Sequence, residues 1–237
     1  MKDLTESTAS LLPIPIQESG EPLVRYRELS PDLIEDRPRF HYRREPYARE
    51  GLAVRLGQAN AWLMEREYRL LILECWRPPF IQRRMFQAVE ADLRQRFPDL
   101  EGDAFRALVE QYSAPMDPDV PPPHTTGGAV DLWLGDREGN ELDLTSPYEW
   151  RDPAGFAFDA PGLSETARKH RELLAEALVP LGVTNYPSEY WHWSYGDQGW
   201  AYRGDHSHAI YGAVQPIDWV PAPGDDIDGP LVFIEKE

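Results

Sequence analysis

Arg77, His124, Asp131, Glu189 and His192 stand in short stretches whose residue types and spacing suit metal binding, proton transfer and anion stabilisation. His124 and Asp131 frame the stretch His124-Thr125-Thr126-Gly127-Gly128-Ala129-Val130-Asp131. Two glycines there let the backbone turn tightly and approach a ligand. Asp131 sits between Val130 and Leu132 in an apolar strand, where a carboxylate is costly unless paired, hydrogen-bonded or metal-bound. Taken alone, it also fits a capping or hydrogen-bonded aspartate. In Ser188-Glu189-Tyr190-Trp191-His192-Trp193 the flanking Pro187 and Gly196 and the dense aromatics favour a strand. On that strand His192 shares a face with Tyr190 and Ser194, and Glu189 reaches the same place only from a bend at the strand's start. Taken alone, His192 reads as a core histidine bonded to a carbonyl. Together, two histidines and one aspartate give three N/O ligands and leave a fourth zinc position open, the arrangement of a catalytic centre. Glu189 is then placed to take a proton from water. Arg77, at the end of the apolar strand in Glu74-Cys75-Trp76-Arg77-Pro78-Pro79, is placed to stabilise an oxyanion. Its alternative is a surface salt bridge.

These side chains have to be held by structured elements. The spacing of Leu52, Leu56, Ala59 and Leu63 predicts a helix over Tyr47 to Tyr68. Arg69 to Glu74 reads as a short buried strand. Ile81, Met85, Val89, Leu93 and Phe97 recur at i+4 and predict a helix that Pro98 stops. A shorter helix is expected over Ala104 to Tyr112, a Pro-rich loop over Pro115 to Pro123, and a strand over Gly128 to Leu134. Ser164 is the expected N-cap of a helix running through Leu178. Tyr190 to Tyr195 is expected as the last strand, with Ala209 to Gly212 as a strand-like segment that closes the sheet. Helices and strands mix without a regular β-α-β rhythm, which points to one α+β domain over 1–237. Its small, mainly antiparallel sheet is flanked by helices. Residues 1–46 are read as an extended leading segment and 201–237 as a C-terminal extension.

The length of 237 residues suits one domain with a sizeable core. A net charge of −17 argues against nucleic acid and anionic membranes as partners. Cys75 is the lone cysteine, which excludes an intramolecular disulfide and a zinc site built on several thiolates; it reads as a small buried apolar residue. The opening residues lack a signal-peptide pattern, and no apolar run approaches the roughly 20 residues of a membrane span. A cytoplasmic protein is expected. His206 and His208 form a His-x-His pair after a Gly-Asp turn and are read as a polar loop.

The His124-x-x-Gly127-x-Ala129-x-Asp131, Glu189-x-Trp191-His192 and Trp76-Arg77-Pro78 stretches stand in the order found in the zinc D-alanyl-D-alanine dipeptidases, and the chain resembles that family over roughly Ala53 to Tyr195. The resemblance implies one Zn²⁺ per chain on His124, Asp131 and His192, with Glu189 as general base and then acid. It implies that Arg77 polarises the scissile carbonyl. It also puts Glu149 at the place of the family's carboxylate for the substrate ammonium, where an aspartate is usual, and matches Tyr26 to a pocket-shaping tyrosine. Pro122 stands where the family has serine, so Thr125 or Thr126 is the candidate hydroxyl for the substrate carboxylate. The family's Asn-Phe-x-Gly stretch is absent. The implied activity is hydrolysis of a small free dipeptide, D-Ala-D-Ala first. The alternatives are a zinc carboxypeptidase or endopeptidase on longer cell-wall peptides, and a zinc-bearing binding protein without turnover. The resemblance leaves the oligomeric state open.

Overall fold

The computed structural model describes residues 6–150, 152–224, 229–232 and 234. In chain order its elements are α1 (Thr8–Leu11), β1 (Leu23–Arg25), α2 (Tyr26–Leu29), β2 (Ile34–Glu35), β3 (Tyr47–Arg49), α3 (Glu50–Met64) and β4 (Tyr68–Glu74). They continue with α4 (Pro79–Arg96), α5 (Gly102–Glu110), β5 (Ala129–Asp136), α6 (Glu165–Leu178), β6 (Thr184–Asn185), β7 (His192–Ser194) and α7 (Gln198–Arg203).

Leu70, Leu71 and Ile72 on β4, and Val130, Leu132 and Leu134 on β5, are all buried. Strands this apolar on both faces belong at the centre of a sheet. The sheet order is β2-β4-β5-β7-β6. β2 joins β4 in parallel, and the other pairings are antiparallel. One α+β architecture results, a small, mostly antiparallel sheet flanked by helices. Leu52, Leu56, Ala59 and Leu63 form the buried stripe of α3, which meets Leu70 and Leu71 of β4 and Leu174 and Leu178 of α6 in the main core. Pro79 starts α4, where its missing N–H costs nothing. The Ser164 hydroxyl accepts from the Ala167 amide at 3.0 Å and caps α6 as expected.

Several boundaries differ from the sequence reading. Tyr47–Arg49 is not the first turn of α3 but a strand paired with Leu23–Arg25, and that distant partner leaves no local periodicity. The N-terminal segment is not simply extended. It contributes α1, β1, α2 and the edge strand β2, while residues 1–5 lie outside the described set. The last strand is shorter than Tyr190 to Tyr195, because residues 186–190 form a turn in which the Glu189 amide donates to the Tyr186 carbonyl at 2.9 Å. Tyr190 therefore enters the main core and does not share a face with His192. The Ala209–Gly212 segment does not close the sheet. Ala209 forms a single parallel bridge with Ile16, and the Ile210 and Tyr211 amides both donate to the Gly196 carbonyl.

One charged residue is part of the core. Arg171 on α6 is 1 % exposed, lies 3.9 Å from the Tyr190 ring centre, and donates to the carbonyls of Leu144, Gly155, Ala157 and Phe158. It thereby holds the 144–158 loop, which carries part of the cavity wall. Arg171→Met leaves those carbonyls without their donor, and each such loss costs about 1–3 kcal/mol. Denaturant unfolding is expected to show a loss of about 3–5 kcal/mol in all. A loss under about 1 kcal/mol would show that the loop holds itself.

Candidate metal centre

The sheet register assembles the site. On β5, Asp131 is opposite Glu74 of β4 and His192 of β7, so three functional side chains stand in one row across three strands. A register shift between Ile72 and Glu74 lies at the end of β4, just before the turn to Arg77. His124 comes from a 3-10 turn, Pro123–Thr126, that precedes β5. Gly127 ends this turn with φ of +71°, and a side chain there would run into Leu23. The Gly127 carbonyl accepts from the Arg49 amide at 2.8 Å, and the Arg49 Nε donates to the Thr126 carbonyl at 2.8 Å. Buried Arg49 thus clamps the loop that presents His124.

The imidazole of His124 is oriented through its outer nitrogen. Nδ1 lies 2.7 Å from the Cys75 carbonyl. A carbonyl can only accept, so Nδ1 carries the hydrogen and Nε2 offers its lone pair inward. That Nε2 is 3.2 Å from His192 Nδ1 and 3.3 Å from Asp131 Oδ1, and the latter two atoms are 3.0 Å apart. Ligands on a tetrahedral zinc with bonds of about 2.0 Å stand about 3.3 Å apart. The triangle of one anionic oxygen and two imidazole nitrogens therefore has the size and chemistry of three corners of a metal site, and it is the cluster of this kind among the described residues. Burial raises the Asp131 pKa, but charge and hydrogen bonds from the two imidazoles, in their protonated metal-free form, outweigh that and hold its carboxyl far below the usual range. Burial pushes the His192 pKa down despite Asp131, which favours the neutral imidazole that a ligand requires.

Arg77 is buried beside this triangle. Its Nε and Nη2 donate to the two Glu74 oxygens at 3.0 and 2.6 Å, and its Nη1 donates to Gln82 Oε1 at 2.6 Å. Nη2 is also 3.7 Å from Asp131 Oδ2. Glu74 accepts in addition from the Tyr42 hydroxyl. Glu189 is half-buried at the bend before β7 and lines the same cavity. Its burial first, and the Asp131 charge second, push its pKa well above the ordinary carboxylate range, against a smaller opposing effect of Arg77.

All five residues that the motifs singled out line one cavity of about 300 Å³. Three further expectations are placed elsewhere. Tyr26 is 3 % exposed and packs in the main core, because α2 turns it inward beneath α3. Thr125 is fully buried, and its hydroxyl donates to the Pro122 carbonyl at 2.7 Å. Glu149 is exposed and off the cavity wall, to which its neighbour Trp150 contributes instead. His206 stacks on Trp200 in an exposed turn, and the His208 ring meets the Ser207 hydroxyl, a polar loop as read. Burial pushes the Cys75 thiol up and leaves it inert.

Sequence reasoning missed Gln82. It stands on the apolar stripe side of α4, and only the fold turns it towards Arg77. Its Nε2 donates to the Ala114 carbonyl at 2.8 Å and so ties Arg77 to the loop after α5. Gln82→Leu is expected to leave Arg77 loosely held and to lower kcat by about 10- to 100-fold, with a smaller change in KM. Steady-state kinetics check this, and an unchanged kcat would show that Glu74 suffices.

An open three-ligand centre with an adjacent carboxylate and guanidinium, on a small α+β sheet, defines a metal-dependent peptidase. The family model described as D-Ala-D-Ala dipeptidase matches residues 43–211, and the chain belongs to that family. A D-alanyl-D-alanine dipeptidase of Synechocystis sp. is 29% identical over 86% of this chain and 96% of that protein. The D-alanyl-D-alanine dipeptidase of Escherichia coli is 29% identical over 52% of this chain and 53% of that protein. Among solved structures, the LD-carboxypeptidase LdcB aligns over 80% of this chain and 75% of its own, at 18% identity and a TM-score of 0.43.

Proposed function

We propose that this protein is a zinc dipeptidase that cleaves a small dipeptide with free termini, with D-Ala-D-Ala as the reference substrate. The observation that carries this reading is the convergence of three metal-ligating atoms in a cavity that also holds Glu189 and Arg77. The names of the Synechocystis and Escherichia coli relatives support the substrate class. His124, Asp131 and His192 would hold the zinc, which supplies an acidified water and a Lewis acid for the scissile carbonyl. Glu189 takes the proton as water adds to the carbonyl, then gives it to the leaving amine. A raised pKa makes the ionised Glu189 carboxylate a stronger base towards water and lets it keep the proton until the amine leaves. Arg77 presents fixed positive charge to the carbonyl oxygen as it becomes negative. Because Glu74 and Gln82 hold the guanidinium from two sides, little reorganisation accompanies that step.

The test is elemental analysis of protein purified without chelator, followed by D-Ala-D-Ala hydrolysis on the same sample. About one zinc per chain and release of alanine are expected, with activity removed by a chelator and restored by zinc. Protein that holds no metal and stays inactive after zinc is added would end the reading. Faster turnover of an N-acylated dipeptide than of the free one would move the substrate to longer wall peptides.

A further inference from the structure

The zinc chemistry makes no use of one wall of the cavity. Tyr112, Phe156, Trp191 and Trp150 line it, and each keeps part of its surface accessible. The Phe156 ring lies edge-on to Trp191 at 4.6 Å and to Tyr112 at 5.8 Å, so the three form one continuous aromatic face. Met85 and Leu93 of α4 extend the apolar lining. Cavities of about 300 Å³ and upward are the size that houses drug-sized ligands, which is more than two alanines need.

This face lies beside Glu189. Trp191 is two residues from it, and the Phe156 carbonyl accepts from the Tyr190 amide at 2.9 Å, which docks the 153–156 turn against the 189–191 bend. Under the function proposed above, on which this inference rests, Glu189 serves the leaving amine. A side chain on the residue that carries that amine therefore meets the aromatic face.

We propose that the leaving residue of the preferred substrate bears a bulky apolar, aromatic side chain seated against Tyr112, Phe156 and Trp191. Ring-on-ring contact and removal of apolar surface from water both favour it over a methyl group. The experiment compares D-Ala-D-Ala, D-Ala-D-Phe and D-Phe-D-Ala. Their kcat/KM values are measured on the zinc-loaded protein, and their affinities by calorimetry on zinc-loaded Glu189→Ala, where they persist uncleaved. D-Ala-D-Phe is expected to exceed D-Ala-D-Ala by about tenfold or more in both measurements. Phe156→Ala is expected to shrink that ratio, and Phe156→Leu to keep most of it. Hydrolysis of D-Ala-D-Ala with no gain for D-Ala-D-Phe overturns the aromatic seat and leaves the dipeptidase reading standing. A preference for D-Phe-D-Ala overturns the assignment to the leaving side. Tighter binding of D-Ala-D-Phe without hydrolysis of any dipeptide supports the seat and overturns the dipeptidase reading.

Discussion

Glu189→Ala is expected to bind its metal normally and to lose turnover by about 10²- to 10⁴-fold, the usual worth of a positioned general acid–base group. The two halves of that result have separate causes. The three ligating atoms come from His124, Asp131 and His192, and their triangle contains no atom of Glu189. Glu189 and Asp131 disfavour each other's charge, so removing the Glu189 carboxyl does not weaken the ligand set. Turnover falls because Glu189 is the carboxylate at the bend beside the ligand triangle; Glu74, opposite Asp131, lines the cavity too, but both of its oxygens are engaged by Arg77. The check is metal content by elemental analysis together with steady-state kinetics on one preparation. Near-normal turnover would remove Glu189 from the proton-transfer role, and loss of metal would make it a ligand.

His124→Ala is expected to lose both metal and activity. With one imidazole gone, two protein ligands remain, one fewer than catalytic zinc centres use. The Cys75 carbonyl also loses the donor at 2.7 Å that orients the ring. Zinc bound per chain is expected to fall from about one to a small fraction at micromolar free metal, with hydrolysis at background. Comparison with Glu189→Ala separates binding from chemistry: one variant is metal-loaded and inactive, the other metal-free and inactive. A His124→Ala protein that keeps a full complement of zinc would displace the centre from this triangle.

Much of this centre can be read from short stretches of the chain, because its chemistry is local in origin. A histidine seven residues before a strand-buried aspartate, with two glycines between, and a Glu-x-x-His stretch near a bend carry ligand types and backbone constraints within a few residues of each other. The α4 stripe and the Ser164 cap are equally local, since the helical repeat and a side chain three residues from its acceptor lie within one turn. The α+β mixture follows from the same kind of information. The family resemblance added the roles of these residues, and it also placed Tyr26, Thr125 and Glu149 in contact with substrate.

The structure places those three side chains off the cavity lining, where long-range packing sets the outcome. Whether Tyr26 faces a cavity or the core depends on how α2 docks against α3, and the Thr125 hydroxyl is engaged by a carbonyl exposed only by its own tight turn. Gln82 meets Arg77 because α4 packs so that one polar side chain of its buried stripe faces the end of β4. The aromatic face joins residues 112, 156 and 191, brought together by the loops around the sheet. Ligand type, turn geometry and helix capping are settled by the free energies of neighbouring residues. The direction a side chain faces across a cavity is settled by the summed burial of every element that packs around it. For that reason the metal-ligand pattern is written in the chain, while the aromatic wall of the cavity takes form only when the helices and loops close around it.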